Sequence, residues 1–234
     1  MTADCKSVYL LAGGGPRGPR RAPDPLAEEA LRQAGIPNPS VAYVGAASGD
    51  NAGFCAMISR LLRQAGAGEV RLAPLCGTHF GAEKARRVIE SCDAVFLSGG
   101  DVEAGMDVLA ETGMIDLLRD QYRQGKFFFG LSAGSIMLSK SWVRWRDPED
   151  ESSAELFPCL GIAPVYCDTH DEEDGWEELL ALTRLLPGGT TSYGIASGTA
   201  LISNPDGSVR SLGGEVLRFT CSGDHVVRLQ PLQD

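Results

Sequence analysis

FFFGLSAGSIML, residues 127–138, joins an apolar run to a Gly-x-Ser-x-Gly pentad and a second apolar run. The first run predicts a buried β-strand, and the second can begin a helix. A sharp turn between them lifts the Ser132 hydroxyl above a sheet, while Gly130 and Gly134 leave room for strained backbone and close helix packing. The N–H of Ala133 then points toward a developing negative charge. The stretch predicts that Ser132 is a nucleophile, because a turn that merely permits close packing explains the glycines but not the serine.

Four further apolar runs end in small residues, as the strand before Ser132 does. They are SVYLLAGG (7–14), SVAYVGAAS (40–48), EVRLAPL (69–75) and DAVFLSGG (93–100). Amphipathic stretches of helical period lie between them, the longest being VEAGMDVLAETGMIDLLRDQYRQG. This alternation predicts an α/β fold with a doubly wound, mostly parallel sheet flanked by helices on both faces.

The rest of the chain follows a different pattern. A charged connection, WRDPEDESSAEL, leads to a strand-like GIAPVYCD, a helix around GWEELLALTRLL and short strands separated by turns such as NPDG. These features predict antiparallel C-terminal strands that extend or cover one edge of the sheet. Since the sequence contains no repeat, low-complexity tract or linker, residues 1–234 are predicted to form a single domain.

Composition excludes several classes of partner. The chain has 234 residues, 43% of them hydrophobic, and a formal net charge of −10. This acidic balance argues against nucleic acid and acidic membrane surfaces, and no apolar stretch approaches the ~18 residues of a membrane span. The seven cysteines are scattered without a C-x-x-C pair, which disfavours a disulfide framework or a zinc site. We expect a cytoplasmic protein without metal or organic cofactor, and an exposed sheet edge that pairs into a homodimer.

The motifs together resemble a known family. GLSAGSIML after a strand, preceded by AVFLSGGDVEAGMDVL and followed by a histidine and GIASGTAL, is similar to the peptidase E and cyanophycinase family of serine peptidases. The resemblance runs from the glycines at 13 to LGG at 212. It implies a class I glutamine amidotransferase-like fold, with Ser132 as the nucleophile where amidotransferases carry cysteine. It also implies an oxyanion hole formed by the N–H groups of Gly100 and Ala133.

The SGGD loop that contains Gly100 also supplies candidate substrate contacts. Gly99 and Asp101 flank the oxyanion donor, so both are candidates to touch the substrate. Asp101 is equally suited to capping the helix that follows. The two roles of the loop are compatible, because capping uses the carboxylate and oxyanion binding uses backbone N–H groups.

Three histidines are available as the general base, which must come within hydrogen-bonding reach of Ser132. His170 ends APVYCDTH, where a strand gives way to a loop, and it falls where the family has its catalytic histidine. His79 also follows a strand, but an exposed loop position or a substrate contact is expected for it. His225 has the surroundings of a surface turn. His170 is therefore the predicted base.

The third catalytic member departs from the family. Aspartyl dipeptidases of the family commonly carry an acid in the segment written here YGIASGTAL, and this chain has Ala196 and Ser197 instead. The Ser197 hydroxyl can accept the imidazole N–H and fix its tautomer, although it stabilises imidazolium less than a carboxylate does. Ser197 is the predicted third member. The alternatives are acids from elsewhere, namely Asp168, Asp171 and the run from Asp147 to Glu151.

Charged segments bear on the substrate. The family's aspartyl dipeptidases carry basic residues shortly after the histidine, whereas residues 171–178 read DEEDGWEE. Such carboxylates repel an acidic group and attract a cationic one, for example a free amino terminus or a Lys or Arg side chain. A solvated helix start is the alternative. In PRGPRR, Arg17, Arg20 and Arg21 either clamp a substrate carboxylate or lie on a solvated loop.

These features predict a serine-type peptidase that acts on a small peptide, as an exopeptidase without strict specificity for N-terminal Asp. A cyanophycinase-like endopeptidase acting on a β-linked aspartyl–arginine polymer is one alternative. A non-catalytic binding module on the same fold is the other, because position 197 lacks an acid. Reaction with an active-site serine probe separates the enzyme from the binding module.

Overall fold

The computed structural model describes residues 5–14, 23–223 and 225–234. The five apolar runs form five adjacent parallel strands of a seven-stranded sheet. They are β1 (Val8–Leu11), β2 (Val41–Val44), β3 (Val70–Ala73), β4 (Ala94–Leu97) and β5 (Phe127–Leu131), and their order across the sheet is β1-β5-β4-β2-β3. The mostly parallel sheet predicted from the sequence is confirmed.

Successive residues of β5 show why the strands are apolar throughout. Phe127 and Phe129 face one side of the sheet, where the Phe129 ring lies 4.9 Å from that of Phe96 in the neighbouring strand. Phe128 faces the other side and packs against Tyr122. All three phenylalanines of β5 are buried, since helices cover both faces. An alternating polar pattern is therefore absent from this strand.

Each of the five parallel strands is followed by a helix, or by two in the case of β4. The helices are α1 (Pro25–Arg32), α2 (Ala52–Gln64), α3 (Ala82–Ser91), α4 (Val102–Glu111), α5 (Met114–Arg123) and α6 (Ala133–Leu138). The long amphipathic stretch after β4 is divided between α4 and α5 at Gly113, which has a φ of 68°. Glycine adopts this left-handed conformation without steric cost, so the chain turns while its apolar period continues. None of the described helices is both long and apolar enough to cross a membrane.

The charged connection after α6 is a hairpin, which the sequence did not predict. Its strands are β6 (Ser141–Trp145) and β7 (Ala154–Pro158), and they pair antiparallel. Trp142 of β6 donates a hydrogen bond to Glu178 over 3.1 Å, so its indole faces the segment that follows His170.

The C-terminal strands are divided between two sheets. The remaining elements are β8 (Cys167–Thr169), α7 (Glu177–Leu185), β9 (Thr191–Ile195), β10 (Ala200–Ser203), β11 (Val209–Leu212), β12 (Val216–Ser222) and β13 (His225–Leu232). β10 and β11 extend the central sheet antiparallel beyond β1, as predicted. The other four strands form a second sheet in the order β13-β12-β9-β8, in which β8 and β9 are parallel. Of the strand-like GIAPVYCD stretch, only Cys167 and Asp168 lie in a strand, which ends at Thr169.

This topology gathers the loops of the candidate site. β1, β5 and β4 are consecutive parallel strands, so the loops that follow them lie together at the carboxyl ends of the strands.

β3 and β11 are the two outermost strands of the central sheet. The homodimer through such an edge and the cytoplasmic location stay predictions.

Candidate active site

Ser132 occupies the turn between β5 and α6 in a strained backbone conformation, with φ 54° and ψ −127°. Its N–H donates to Leu11 O over 2.9 Å, which fixes the turn against β1. A Cβ atom at Gly134 would lie 2.2 Å from Leu97 O, and one at Gly130 would lie 2.6 Å from Gly134 C. Both glycines of the pentad are therefore required by close backbone packing.

The Ser132 hydroxyl meets the predicted base. Ser132 Oγ lies 2.6 Å from His170 Nε2. His170 follows β8 directly, has a φ of 46°, and donates its backbone N–H to Ile195 O over 2.9 Å. A neutral imidazole with a free Nε2 lone pair accepts a hydroxyl proton at this distance.

The loop after β4 borders Ser132, as the oxyanion hole requires. A Cβ atom at Gly99 would lie 3.2 Å from Ser132 Cβ. Gly100 has a φ of 144°, and a Cβ atom there would lie 2.0 Å from Ala47 O. In the described ranges, the N–H groups of Gly100 and Ala133 donate to no protein acceptor, so both remain available to an oxyanion.

Two residues outside the predicted site, Ala47 and Asp50, make hydrogen bonds that hold this loop in place, and these contacts are called the clamp below. The N–H of Asp101 donates to Ala47 O over 2.8 Å, which ties the loop to the turn after β2. Asp50 Oδ2 in turn accepts the N–H groups of Leu75 and Cys76 over 2.6 and 2.7 Å. The Asp101 carboxylate accepts from Ala104 N over 2.8 Å and so caps α4. The sequence signal for the clamp was the polar GAASGDN loop at the end of β2.

Ser197 lies in the β9–β10 turn and contacts a carboxylate that sequence reasoning did not single out. Its N–H donates to Glu172 Oε1, and its hydroxyl is 3.5 Å from Glu172 Oε2. The hydrogen bond of the His170 side chain in the described structure is the one to Ser132. The predicted contact between Ser197 and the imidazole stays a prediction.

The alternative acids occupy different surroundings. Asp168 is only 3% exposed, and its Oδ1 accepts from Thr169 N over 2.7 Å, while Oδ2 has no partner among the described residues. Burial raises the pKa of Asp168 to about 8, and the negative charges of Glu178 and Asp171 add to this shift. Burial also raises the pKa of Asp171, and the negative charges of Asp174 and Glu177 add to this shift. Asp168 is thus a buried neutral acid at moderate pH.

The acidic run from 147 to 151 makes hydrogen bonds within the turn in which it lies. It lies at the tip of the β6–β7 hairpin, where Asp147 Oδ1 accepts from Glu149 N over 3.1 Å and Asp150 Oδ1 accepts from Ser152 N over 2.9 Å. These carboxylates stabilise the hairpin turn through Asx-type hydrogen bonds.

A cavity of about 440 Å³ contains the Ser132–His170 pair. Residues 12–14 of the loop after β1 line it together with Leu131, Glu172, Glu173 and Ser197. Arg17, Arg20 and Arg21, which follow residue 14 in the sequence, lie outside the described residues, as does the side chain of His79. His225 is exposed in β13. Within the described part of the chain, no group of three or more His, Cys, Asp or Glu side chains has the arrangement of a metal site.

A strained serine after a central strand, a histidine at hydrogen-bonding distance and unused N–H groups beside them are the arrangement by which α/β hydrolytic enzymes attack acyl groups. A model of peptidase family S51 matches residues 9–210 of the chain. The chain belongs to peptidase family S51, and the resemblance predicted from the sequence motifs is confirmed.

Individual relatives agree with this assignment. Peptidase E of Shewanella sp. (strain ANA-3) is 28% identical over 146 residues, which are 58% of this chain and 60% of that protein. The match therefore spans about three-fifths of the relative's length. A crystal structure of a peptidase from an acI-B1 Actinobacterium has a TM-score of 0.69 at 18% identity, covering 100% of this chain and 98% of the other.

A proposed peptidase E protein from Listeria monocytogenes EGD-e has a TM-score of 0.64 at 15% identity, covering 89% of this chain and 98% of the other. At these identities the two crystal structures show a shared fold. The predicted fold class, with antiparallel strands following a mostly parallel sheet, is confirmed.

Proposed function

We propose that the protein is a serine exopeptidase that hydrolyses short peptides through Ser132 and His170. The observation that carries this proposal is the 2.6 Å distance between Ser132 Oγ and His170 Nε2, in a cavity open to a small ligand. A volume of about 440 Å³ is in the range of small-molecule sites and suits a substrate of a few residues.

The reaction proceeds in two acyl-transfer steps. Ser132 Oγ attacks the scissile carbonyl carbon while His170 Nε2 takes the hydroxyl proton. The resulting oxyanion accepts hydrogen bonds from the N–H groups of Gly100 and Ala133. When the tetrahedral intermediate collapses, the C–N bond breaks, His170 protonates the leaving amine, and an ester to Ser132 remains. His170 then deprotonates a water molecule, which hydrolyses the ester and regenerates the serine.

Ser197 is proposed to complete the site by accepting the other imidazole N–H. It lines the same cavity as His170, and its hydroxyl interacts with Glu172 only weakly at 3.5 Å. Gly99 and Asp101 are proposed to border the bound peptide, because their loop runs beside Ser132. Arg17, Arg20 and Arg21 remain the proposed partners of a substrate carboxylate.

Peptide hydrolysis tests the proposal. Wild type, Ser132→Ala and a control, Ser152→Ala, are incubated with unblocked dipeptides, unblocked longer peptides and peptides blocked at both ends, and the products are identified by mass spectrometry. Ser152 is an exposed residue of the β6–β7 turn. We expect wild type and Ser152→Ala to release residues from unblocked short peptides, and Ser132→Ala to release none. Cleavage inside blocked peptides would replace the exopeptidase with an endopeptidase, and no cleavage by wild type would contradict the proposal.

A further inference from the structure

Glu172 and Glu173 place two carboxylates in the cavity that contains Ser132 and His170. Both glutamates precede α7, which begins at Glu177. The favourable interaction of acids with a helix N-terminus acts only over the first turn and therefore does not account for them. Their charge in the cavity calls for a different explanation.

The position of Glu172 is fixed by neutral donors. The Ser197 N–H and hydroxyl both face its carboxylate. Gly14 supports Ser197 from the other side, since a Cβ atom at Gly14 would lie 2.9 Å from Ser197 Oγ. The N–H of Gly198 donates to Gly13 O over 2.8 Å, which joins the β9–β10 turn to the loop after β1. These contacts orient the Glu172 carboxylate, and because the donors are neutral they do not offset its negative charge.

No cation neutralises this charge in the described part of the chain. The ion pairs there involve other acids, and no Lys, Arg or His nitrogen pairs with Glu172 or Glu173. The cavity lining contains no Lys or Arg among the described residues either. A bound substrate that displaces water from this cavity strengthens the field of the two carboxylates.

We propose that Glu172, assisted by Glu173, binds a cationic group of the substrate close to the scissile bond. The group is an ammonium or guanidinium, supplied by a free amino terminus or by a Lys or Arg side chain. Charge-assisted hydrogen bonds to an oriented carboxylate favour such a group, and the second carboxylate attracts it during encounter. The inference rests on the peptidase function proposed above and names its substrate class.

Four anilides with one leaving group separate the two sources of charge. Leucine p-nitroanilide is compared with its N-acetyl derivative, which removes the amino-terminal cation. N-acetyl-lysine p-nitroanilide is compared with N-acetyl-norleucine p-nitroanilide, which removes the side-chain cation. For at least one pair we expect kcat/KM to be about tenfold higher for the cationic member at low salt, and the preference to shrink as salt rises.

Glu172→Gln identifies the carboxylate responsible. Glutamine keeps an oxygen that accepts the Ser197 N–H, so the turn is retained while the charge is lost. We expect this variant to lose most of the preference for the cationic member of the pair. Glu173→Gln should lose a smaller part of the preference for the cationic member. Glu149→Gln, on the exposed β6–β7 turn, removes the same charge elsewhere and should keep the full preference.

Binding to Ser132→Ala keeps the inference separate from catalysis. Calorimetry compares leucinamide with N-acetyl-leucinamide, and N-acetyl-lysinamide with N-acetyl-norleucinamide, in Ser132→Ala and in Ser132→Ala with Glu172→Gln. Tighter binding of a cationic ligand that disappears in the double variant supports the inference even if no anilide is hydrolysed. Equal hydrolysis and equal binding of charged and neutral members would overturn it, and would leave the peptidase proposal intact if wild type cleaves both.

Discussion

The side chains of Ser132 and His170 meet at 2.6 Å although both residues have positive φ angles, 54° and 46°. Non-glycine residues rarely adopt this region, and each instance costs of the order of 1–3 kcal/mol. Ser132 is fixed by Leu11 O and His170 by Ile195 O, through backbone hydrogen bonds to two different sheets. The strained pair is thus held by the fold before any substrate arrives, as a preorganised acyl-transfer site requires.

His170→Ala should reduce kcat by about 10²- to 10⁴-fold, because Ser132 then has no base at 2.6 Å to accept its proton. The measurement is the rate of peptide hydrolysis under saturating substrate. His225→Ala is the control, since His225 is exposed in β13, and it should retain wild-type kcat. Equal losses in both variants would contradict the role of His170.

Gly99→Ala and Gly100→Ala should separate activity from folding. A methyl group at Gly99 would lie 3.2 Å from Ser132 Cβ and 3.6 Å from Oγ, so a small shift accommodates it at the expense of the substrate's path. We expect kcat/KM to fall at least tenfold with a melting temperature within a few degrees of wild type. At Gly100 the methyl group would meet Ala47 O at 2.0 Å in a left-handed backbone, so the main loss should be in stability. Thermal unfolding and kinetics on both variants check this contrast.

Asp50→Ala should weaken the loop that supplies the oxyanion donors. It leaves the N–H groups of Leu75 and Cys76 without their acceptor, at about 1–3 kcal/mol for each buried group. Asp50→Asn keeps one carbonyl oxygen at this position and should recover part of the stability and activity. Urea unfolding and kcat measure the two effects. Full activity in Asp50→Ala would show that the clamp does not position Gly100.

Asp168 should make the protein less stable as pH rises. Its folded pKa of about 8 lies above the unfolded value near 4, so between these limits the folded protein holds a proton that the unfolded chain has released. The free energy of unfolding therefore falls with increasing pH in this interval, by up to about 1.4 kcal/mol per pH unit, and levels off above it. Burial raises the pKa of Glu178 beside it, which acts in the same direction.

Asp168→Asn removes this titration and is compared with wild type by urea unfolding at pH 5 and pH 8. We expect the stability of the variant relative to wild type to be more favourable at pH 8 than at pH 5. Asp107→Asn, at an exposed position of α4, should show no such difference between the two pH values. A relative stability of Asp168→Asn that is the same at both pH values would contradict a buried, protonated Asp168.

Local sequence signals predicted the central sheet and the turn that carries Ser132, while the role of Ser132 as nucleophile stays a prediction. The five parallel strands are apolar on both faces, so each was visible as a continuous run, and the pentad placed Ser132 at the end of β5. His170 was chosen because it follows a strand and falls where the family has its catalytic histidine, and its role as the base stays a prediction. The resemblance to a family added the SGGD loop, which the structure places beside Ser132.

The contacts that were missed join distant segments. Ser197 and Glu172 are 25 residues apart, and their contact depends on the parallel pairing of β8 with β9. A local pattern does not encode that pairing, because parallel register is set by tertiary packing. The β6–β7 hairpin was missed because charged residues of its turn obscured the two short strands. The break at Gly113 was hidden by an apolar period that continues through it.

The most direct test of the account is the intact mass of the protein after reaction with a fluorophosphonate. We predict that wild type and Ser152→Ala gain the mass of one phosphonyl group, that peptide mapping places it on Ser132, and that Ser132→Ala stays unmodified. An unmodified wild-type protein, or an adduct that persists in Ser132→Ala, would contradict Ser132 as the activated nucleophile.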